Sequence, residues 1–360
     1  MTPQFDEYLQ FEKILKSHQD LQSHQTTTNE DNHSNFWTFE TSKSVSAKGT
    51  DFPLWKITCE NKKSTTPSKD KACLILIGGV HGLERIGSQL CVSLIEKYYE
   101  LSRWDFVFKH ELENLKIVFF PFANPAGIQH RTRSNGNGVD LMRNAPITAT
   151  DKVPFLLGGH NYSTQLPWFR GQPEKMETES QFLADEISQI VNSSCLAISI
   201  DIHSGFGFKD QLWFPWAFTK KPFPRLDLIT AMMDYFEKLY PFHIYKIEPQ
   251  SKVYCTHGDL WDYIAHNKVE KLNYLPFTLE LGSWIWVKKN PLQVFKLDGL
   301  FNPIKKHRIK RTLRRHQSLI DFALRFLLFA QKNDPKSFDK HDYYNKGLKK
   351  WYPELPDLGS

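Results

Sequence analysis

Four continuous or nearly continuous apolar runs stand out from a chain that is otherwise polar or amphipathic. They are CLILIGG at 73–79, LKIVFFPF at 115–122, LAISIDI at 196–202 and LPFTLEL at 275–281. Short runs of this kind, ended by turn residues, are the pattern of strands buried on both faces of a mostly parallel sheet. After the first run, Leu90, Leu94 and Tyr98 recur at helical spacing within 87–99, and a second helical pattern covers about 178–192. Strands alternating with helices predict an α/β layer fold. Near the C-terminus, Ile309, Leu313, Ile320, Leu324 and Leu327 also fall at helical spacing. The basic run KKHRIKRTLRRH at 305–316 then reads as the solvent face of a packed helix. Taken alone it also suits a nucleic-acid patch, but the apolar stripe accounts for it, so no nucleic-acid partner is expected. No internal repeat or low-complexity linker interrupts the pattern. The expected organisation is a polar N-terminal extension at 1–35 with a possible first helix, one domain at 36–335 and a C-terminal tail at 336–360.

Composition narrows the class. A hydrophobic content of 40% in 360 residues fills one large core, and a net charge of +6 favours anionic partners only slightly. Cys59, Cys73, Cys91, Cys195 and Cys255 are odd in number and scattered without CxxC spacing, so they read as reduced thiols. The start, MTPQFDEYLQ, carries acids and no apolar leader, and no run of about 18 apolar residues exists, so a cytoplasmic protein without a membrane span is expected. His18, His24 and His33 lie in the polar N-terminal stretch and read as solvated side chains rather than a metal-binding tail.

The candidate chemistry sits at strand ends. His81-Gly-Leu-Glu84 follows the first buried strand and a Gly78-Gly79 turn. A His and a Glu three apart supply two metal ligands from one rigid segment. A second HxxE, His110 to Glu113, lies in the charged stretch KHELENLK and reads as surface. Ligands of open α/β sheets gather at the carboxyl ends of strands, which favours His81 and Glu84. Asp201-Ile-His203-Ser-Gly205 ends another buried strand, so His203 is the expected third ligand, leaving the fourth position for water. Asp201 alternates onto the same face as His203 and is a candidate partner for it. Glu280 is a lone acid in the apolar strand FTLELG, where burial raises its pKa toward that of a general base. The loop NPAGIQHRTRSNGNGVDLMRN at 124–144 presents Arg131, Arg133 and Arg143, which suit a carbonyl or a carboxylate. Trp213, Trp216, Trp261, Trp284 and Trp286 hint at a stacking pocket, with most of them expected in the core or at a rim.

Taken in order, GGVHGLER (78–85), NPAG (124–127), GVDLMRN (138–144), DIHSG (201–205) and FTLELG (277–282) resemble the zinc carboxypeptidase family, the carboxypeptidase A-like metallopeptidases, as a divergent member of bacterial type. The resemblance runs from about Asp70 to Gly282, with a lesser echo in FRGQPEKMETES at 169–180. It implies a mixed, mostly parallel eight-stranded sheet flanked by helices on both faces. It also implies one zinc ion on His81, Glu84 and His203, Arg133 at the oxyanion, Arg143 on the substrate carboxylate and Tyr254 as a capping tyrosine, with Tyr263 close by in sequence. Where the family has Asn-Arg, this chain has Met142-Arg143, and Met cannot donate a hydrogen bond.

The expectation is therefore zinc-dependent hydrolysis of a peptide or small amide bearing a free carboxylate, with Glu280 as base. The alternatives are an N-acyl amino acid deacylase on the same scaffold, as in the aspartoacylase and desuccinylase branch, or a catalytically degenerate zinc-binding protein.

Overall fold

A computed structural model describes residues 3–23, 35–267, 273–332 and 340–355. Eight strands form one sheet: β1 (Trp37–Ala47), β2 (Thr50–Glu60), β3 (Ala72–Gly78), β4 (Leu115–Phe120), β5 (Ala197–Ser204), β6 (Gln211–Phe214), β7 (Lys246–Pro249) and β8 (Tyr274–Leu281). Their spatial order is β1-β2-β4-β3-β5-β8-β6-β7. Strands β4, β3, β5 and β8 run parallel to one another, β1–β2, β2–β4 and β8–β6 pair antiparallel, and β7 runs parallel to β6. The helices are α1 (Asp6–Ser23), α2 (Arg85–Trp104), α3 (Phe106–Glu111), α4 (Pro125–His130), α5 (Thr178–Asn192), α6 (Leu226–Leu239) and α7 (Leu260–Asn267). They continue as α8 (Trp284–Lys289), α9 (Leu297–Phe301), α10 (Lys306–Arg315), α11 (Gln317–Lys332) and α12 (Lys340–Trp351).

The central strands explain their own sequence. Every residue of β3, β4 and β5 is buried, because helices cover both faces and leave no polar side to alternate with. Helices α2 and α11 pack on β3, while α5 and α7 pack together, with α7 on β8. The parallel register sets Ile77 beside Asp201 and His203 beside Glu280, so three strand ends meet in one crevice.

The structure departs from the sequence reading in three places. The possible first helix of the polar extension is α1, and it is no solvated extension: its Phe5, Tyr8, Phe11 and Ile14 are buried. Phe11 meets Trp55 and Phe122 with ring centroids 5.2 and 5.7 Å apart. On the same helix His18, read as solvated, is buried against Phe39 at 4.9 Å between ring centroids; His24 and His33 lie outside the described residues. The C-terminal apolar stripe is two helices rather than one, broken at His316, whose ring is buried and accepts or donates a 2.9 Å hydrogen bond with Tyr245. Past the last of these, α12 docks on α6, with Leu348 and Trp351 buried.

Candidate metal centre

Strand β3 ends at Gly78, and the chain turns through Gly79 and Val80 to present His81 before α2 begins at Arg85. The turn rests on the NPAG segment. A Cβ on Gly82 would stand 1.9 Å from the carbonyl carbon of Gly127, so only glycine permits this contact. Asn124 holds the seat: its carboxamide oxygen accepts from Gly127 N at 2.8 Å, and its NH2 donates to the carbonyl of Val80 at 3.2 Å. The second ligand-bearing segment is the end of β5, where the Ser204 amide donates to Glu84 Oε2 at 3.0 Å.

His81, Glu84 and His203 converge, all three buried. His81 Nδ1 lies 3.1 Å from His203 Nδ1 and 3.0 Å from Glu84 Oε1, and His203 Nδ1 lies 3.0 Å from Glu84 Oε2. Each imidazole has its other nitrogen braced by a buried carboxylate. His81 Nε2 meets Asp140 Oδ1 at 3.1 Å, and His203 Nε2 meets Asp201 Oδ2, which also accepts from Trp261 Nε1 at 2.9 Å.

That pattern fits a metal ion. With both Nε2 atoms donating to carboxylates, both Nδ1 lone pairs face inward, as metal-binding histidines are oriented. Two such lone pairs 3.1 Å apart beside a carboxylate require a cation between them, a proton or a metal. In a tetrahedral zinc site, ligand atoms at the usual bond lengths stand roughly 3.3 Å apart, within a few tenths of an ångström of these separations. Charge agrees with geometry. Burial pushes the Glu84 carboxyl up, but the His81 and His203 rings outweigh it and hold it well down. Burial lowers His203, yet Asp201 and Glu84 lift it well above the usual imidazole value. Burial likewise opposes the Asp140 charge, while Arg133 and His81 hold that carboxyl well below its usual range.

Glu280 stands beside His203 across the β5–β8 pairing, half-buried, with its Oε2 buried and without a hydrogen-bond partner. Burial, with His203 and Arg133 opposing and Glu84 and Asp201 assisting, pushes its pKa up to about 8. Arg133 donates from Nε to Asp140 Oδ2 at 2.8 Å and from Nη1 to Glu84 Oε1 at 3.4 Å, which places its guanidinium at the mouth of the centre. Arg143 is buried; its Nη1 donates to Met142 O at 3.3 Å and its Nε to Leu157 O at 3.4 Å, and its charge acts on the Tyr254 hydroxyl. The Gly258 backbone closes over it, since a Cβ there would lie 1.8 Å from Arg143 O. Tyr254 is raised by burial, lowered by Arg143 and raised by Glu280, so its hydroxyl shares the field of both groups. Tyr263 sits on α7 instead. Arg131 pairs with Asp298 at 2.9 Å on the surface, and His110 is exposed on α3.

One feature was not read from sequence. Asp140 bridges His81 and Arg133; it lies two residues before Met142 in GVDLMRN, and nothing but that nearness to Arg143 marks it. Met142, whose place beside Arg143 the sequence had already marked, is buried, and its thioether joins the core. Of the five tryptophans, Trp213, Trp216, Trp261 and Trp286 are buried, and Trp284 is the one at a rim, donating from Nε1 to Gly205 O at 3.1 Å. Phe206 lies between Trp213, Tyr254 and Trp284, at 5.5, 6.2 and 6.3 Å between ring centroids.

Comparison with known proteins agrees with this geometry. The zinc carboxypeptidase family profile matches residues 26–283. Carboxypeptidase SOL1 of Arabidopsis thaliana is 32% identical over 95 residues, which is 26% of this chain and 19% of that protein. The chain thus spans about a fifth of the curated relative that it matches. Among solved structures, thrombin activatable fibrinolysis inhibitor superposes with a TM-score of 0.64 at 15% identity, over 91% of this chain and 77% of that one. Carboxypeptidase A of Helicoverpa armigera gives 0.63 at 19% identity, over 89% and 74%. A metallo-carboxypeptidase of Pseudomonas aeruginosa gives 0.51 at 16% identity, over 83% and 66%. These likenesses concern the fold, and together with the profile match across most of the chain they show that it belongs to the zinc carboxypeptidase family.

Proposed function

We propose that this protein hydrolyses a peptide or small amide bond next to a free carboxylate, with one zinc ion held by His81, Glu84 and His203. The observation that carries the reading is the inward convergence of two Nδ1 atoms and one carboxylate, with an unpartnered buried carboxylate oxygen on Glu280 beside them. Zinc bound there would supply a Lewis acid that polarises the carbonyl and brings a water's pKa from about 16 toward about 7.

The chain's own groups do the rest. Glu280, with its pKa pushed up to about 8, is poised to take the proton from the attacking water and return it to the leaving nitrogen. Arg133, held by Asp140 and Glu84, offers its guanidinium to the carbonyl oxygen as negative charge develops. Arg143 grips the free carboxylate, and Tyr254, in the field of that guanidinium, closes over the substrate. Met142 removes one carboxylate donor, which favours a second reading within the same mechanism: an N-acyl amino acid whose acyl group supplies part of the binding.

Elemental analysis of the purified protein should show about one zinc per chain, lost in the His81→Ala/His203→Ala variant. Turnover assays on blocked dipeptides against N-acetyl and N-succinyl amino acids then separate the two substrate classes. No zinc after metal is supplied, or turnover unchanged in the double variant, overturns the proposal.

A further inference from the structure

The stretch that follows Glu280 has a charge unlike the rest of the molecule. Residues 283–315 contain ten Lys and Arg against one acid, Asp298. That net charge of +9 exceeds the +6 of the whole chain, so the remainder is −3. Asp298 is already taken by Arg131. Among the described residues, Lys288, Lys289, Lys296, Lys305, Lys306, Lys310, Arg311 and Arg314 are exposed and have no ion-pair partner. Folding normally intersperses charges of both signs on a surface, so a single-sign field of this density favours an anionic partner.

The same stretch exposes apolar side chains. Between Pro291 and Phe295 the chain makes a single 3-10 turn, on which Leu292 is 74%, Val294 44% and Phe295 84% exposed. Ile304, beside Lys305, is 39% exposed. Turn and basic helix belong to one unit: Arg308 donates to Trp286 O at 3.3 Å and to Lys289 O at 3.4 Å, tying α10 to α8, while Gln293 Nε2 donates to Gly299 O. The apolar side of α10 is spent inside the protein, with Thr312 buried and Ile309 and Leu313 packed on the core, so its cations face outward.

We infer that this unit, residues 284–315, docks the protein on an anionic phospholipid bilayer. Cations alone would serve any polyanion, but an apolar tip next to a dense ring of lysines matches an interface with negative headgroups outside and hydrocarbon beneath. Leu292, Val294 and Phe295 enter the headgroup boundary, while α10 and the end of α8 lie on the phosphates. Asn302, which donates to Leu83 O at 2.7 Å, and Phe301, which closes on Gly205, fasten the unit to the rim of the metal centre.

The test is co-sedimentation of the full chain with phosphatidylcholine vesicles, with and without phosphatidylglycerol. Binding should require the anionic lipid and weaken about tenfold or more from low to high salt. Leu292→Ser/Phe295→Ser and Lys305→Glu/Lys306→Glu should each weaken it about tenfold, with circular dichroism and melting temperature unchanged, as expected for exposed positions. Failure to bind anionic vesicles overturns the inference, and binding of duplex or single-stranded DNA without vesicle binding replaces it with a nucleic-acid face. Vesicle binding untouched by the apolar pair also overturns it, since the turn would then not insert.

Discussion

The two carboxylates that brace the histidines should respond differently to the same substitution. Asp140 spends its two oxygens on different cationic or ring partners: Oδ1 accepts from His81 Nε2 at 3.1 Å and from Met142 N at 3.1 Å, and Oδ2 accepts from Arg133 Nε at 2.8 Å. An asparagine has one acceptor oxygen and one NH2. In Asp140→Asn the NH2 must face either His81 or Arg133, so one bond becomes donor against donor. Asp201 uses Oδ2 for both His203 and Trp261, while its Oδ1 has no partner. In Asp201→Asn the carbonyl can occupy the Oδ2 position and keep both bonds. A hydrogen bond involving a charged group contributes about 1.5–3 kcal/mol, and loss of a carboxylate behind a metal-binding histidine typically weakens the metal about 10- to 100-fold. Asp140→Asn should therefore raise the zinc Kd about 10- to 100-fold, or roughly 1.4–2.7 kcal/mol. Asp201→Asn loses the negative charge but no bond, and should cost less. The assay is competition for zinc against a chromogenic chelator, with melting curves in excess chelator to confirm that both apoproteins are folded. An Asp140→Asn affinity within twofold of native, or a larger loss in Asp201→Asn, refutes the assignment of bonds to these oxygens.

Three further outcomes are expected of the same site and its surroundings. Glu280→Gln keeps the strand and the zinc ligands but cannot take a proton, so it should bind about one zinc yet lose about 10²- to 10⁴-fold in turnover; retained turnover with zinc bound removes Glu280 as the base. Gly258→Ala would set a Cβ 1.8 Å from Arg143 O and strain a residue at φ +70, so Arg143 must shift and KM should rise while zinc content stays at one; an unchanged KM would separate Arg143 from substrate binding. His316 gives a pH signature. Burial, with Arg315 assisting, lowers its pKa from 6.5 to about 3, and Asp210, at 3.8 Å, is itself pushed up by burial and is a weak counter-ion in acid. Above pH 6.5 the ring is neutral in both states and nothing is lost; below it the unfolded chain takes a proton that the folded one refuses, so stability declines from about pH 6.5 to about pH 3. At pH 5 the loss is about 2 kcal/mol. Urea midpoints at pH 7 and pH 5 should differ less in His316→Gln than in the native chain, and equal differences exclude His316 as the source.

How much of this was legible in the sequence depended on which forces left a one-dimensional trace. Strands β3, β4, β5 and β8 were legible because burial on both faces leaves an apolar run that no surface element imitates. The outer strands were not: β1 is mostly exposed, and β6 and β7 are four residues each, too short for any period to show. Helix α1 was legible only as a possible first helix, and its packing was not, because its buried residues, Tyr8, Phe11 and Ile14, are thinly spread among charges. The site followed the same division. A histidine or acid at the end of a buried strand, or in the turn just beyond it, faces the crevice, so His81, Glu84, His203 and Glu280 could be proposed as neighbours without a structure. Asp140 could not, because it sits in a Gly- and Asn-rich loop where an aspartate is ordinary turn chemistry.

The basic run at 305–316 shows the opposite case, a correct local reading that stops short of a functional one. The pattern rightly put its apolar stripe inward and its cations outward, as α10 confirms. A solvated helix face, however, is usually relieved by acids three or four residues away or on a neighbouring element. Such relief depends on the fold, so no sequence window can show it missing. Around α10 Asp210 reaches Arg315, but the adjoining segments otherwise bring Lys288, Lys289 and exposed apolar side chains, and the one acid of the unit is already paired to Arg131. The excess charge is thus a property of the assembled surface. That is why the same twelve residues, unremarkable as a helix, become an argument for an anionic partner once their surroundings are seen.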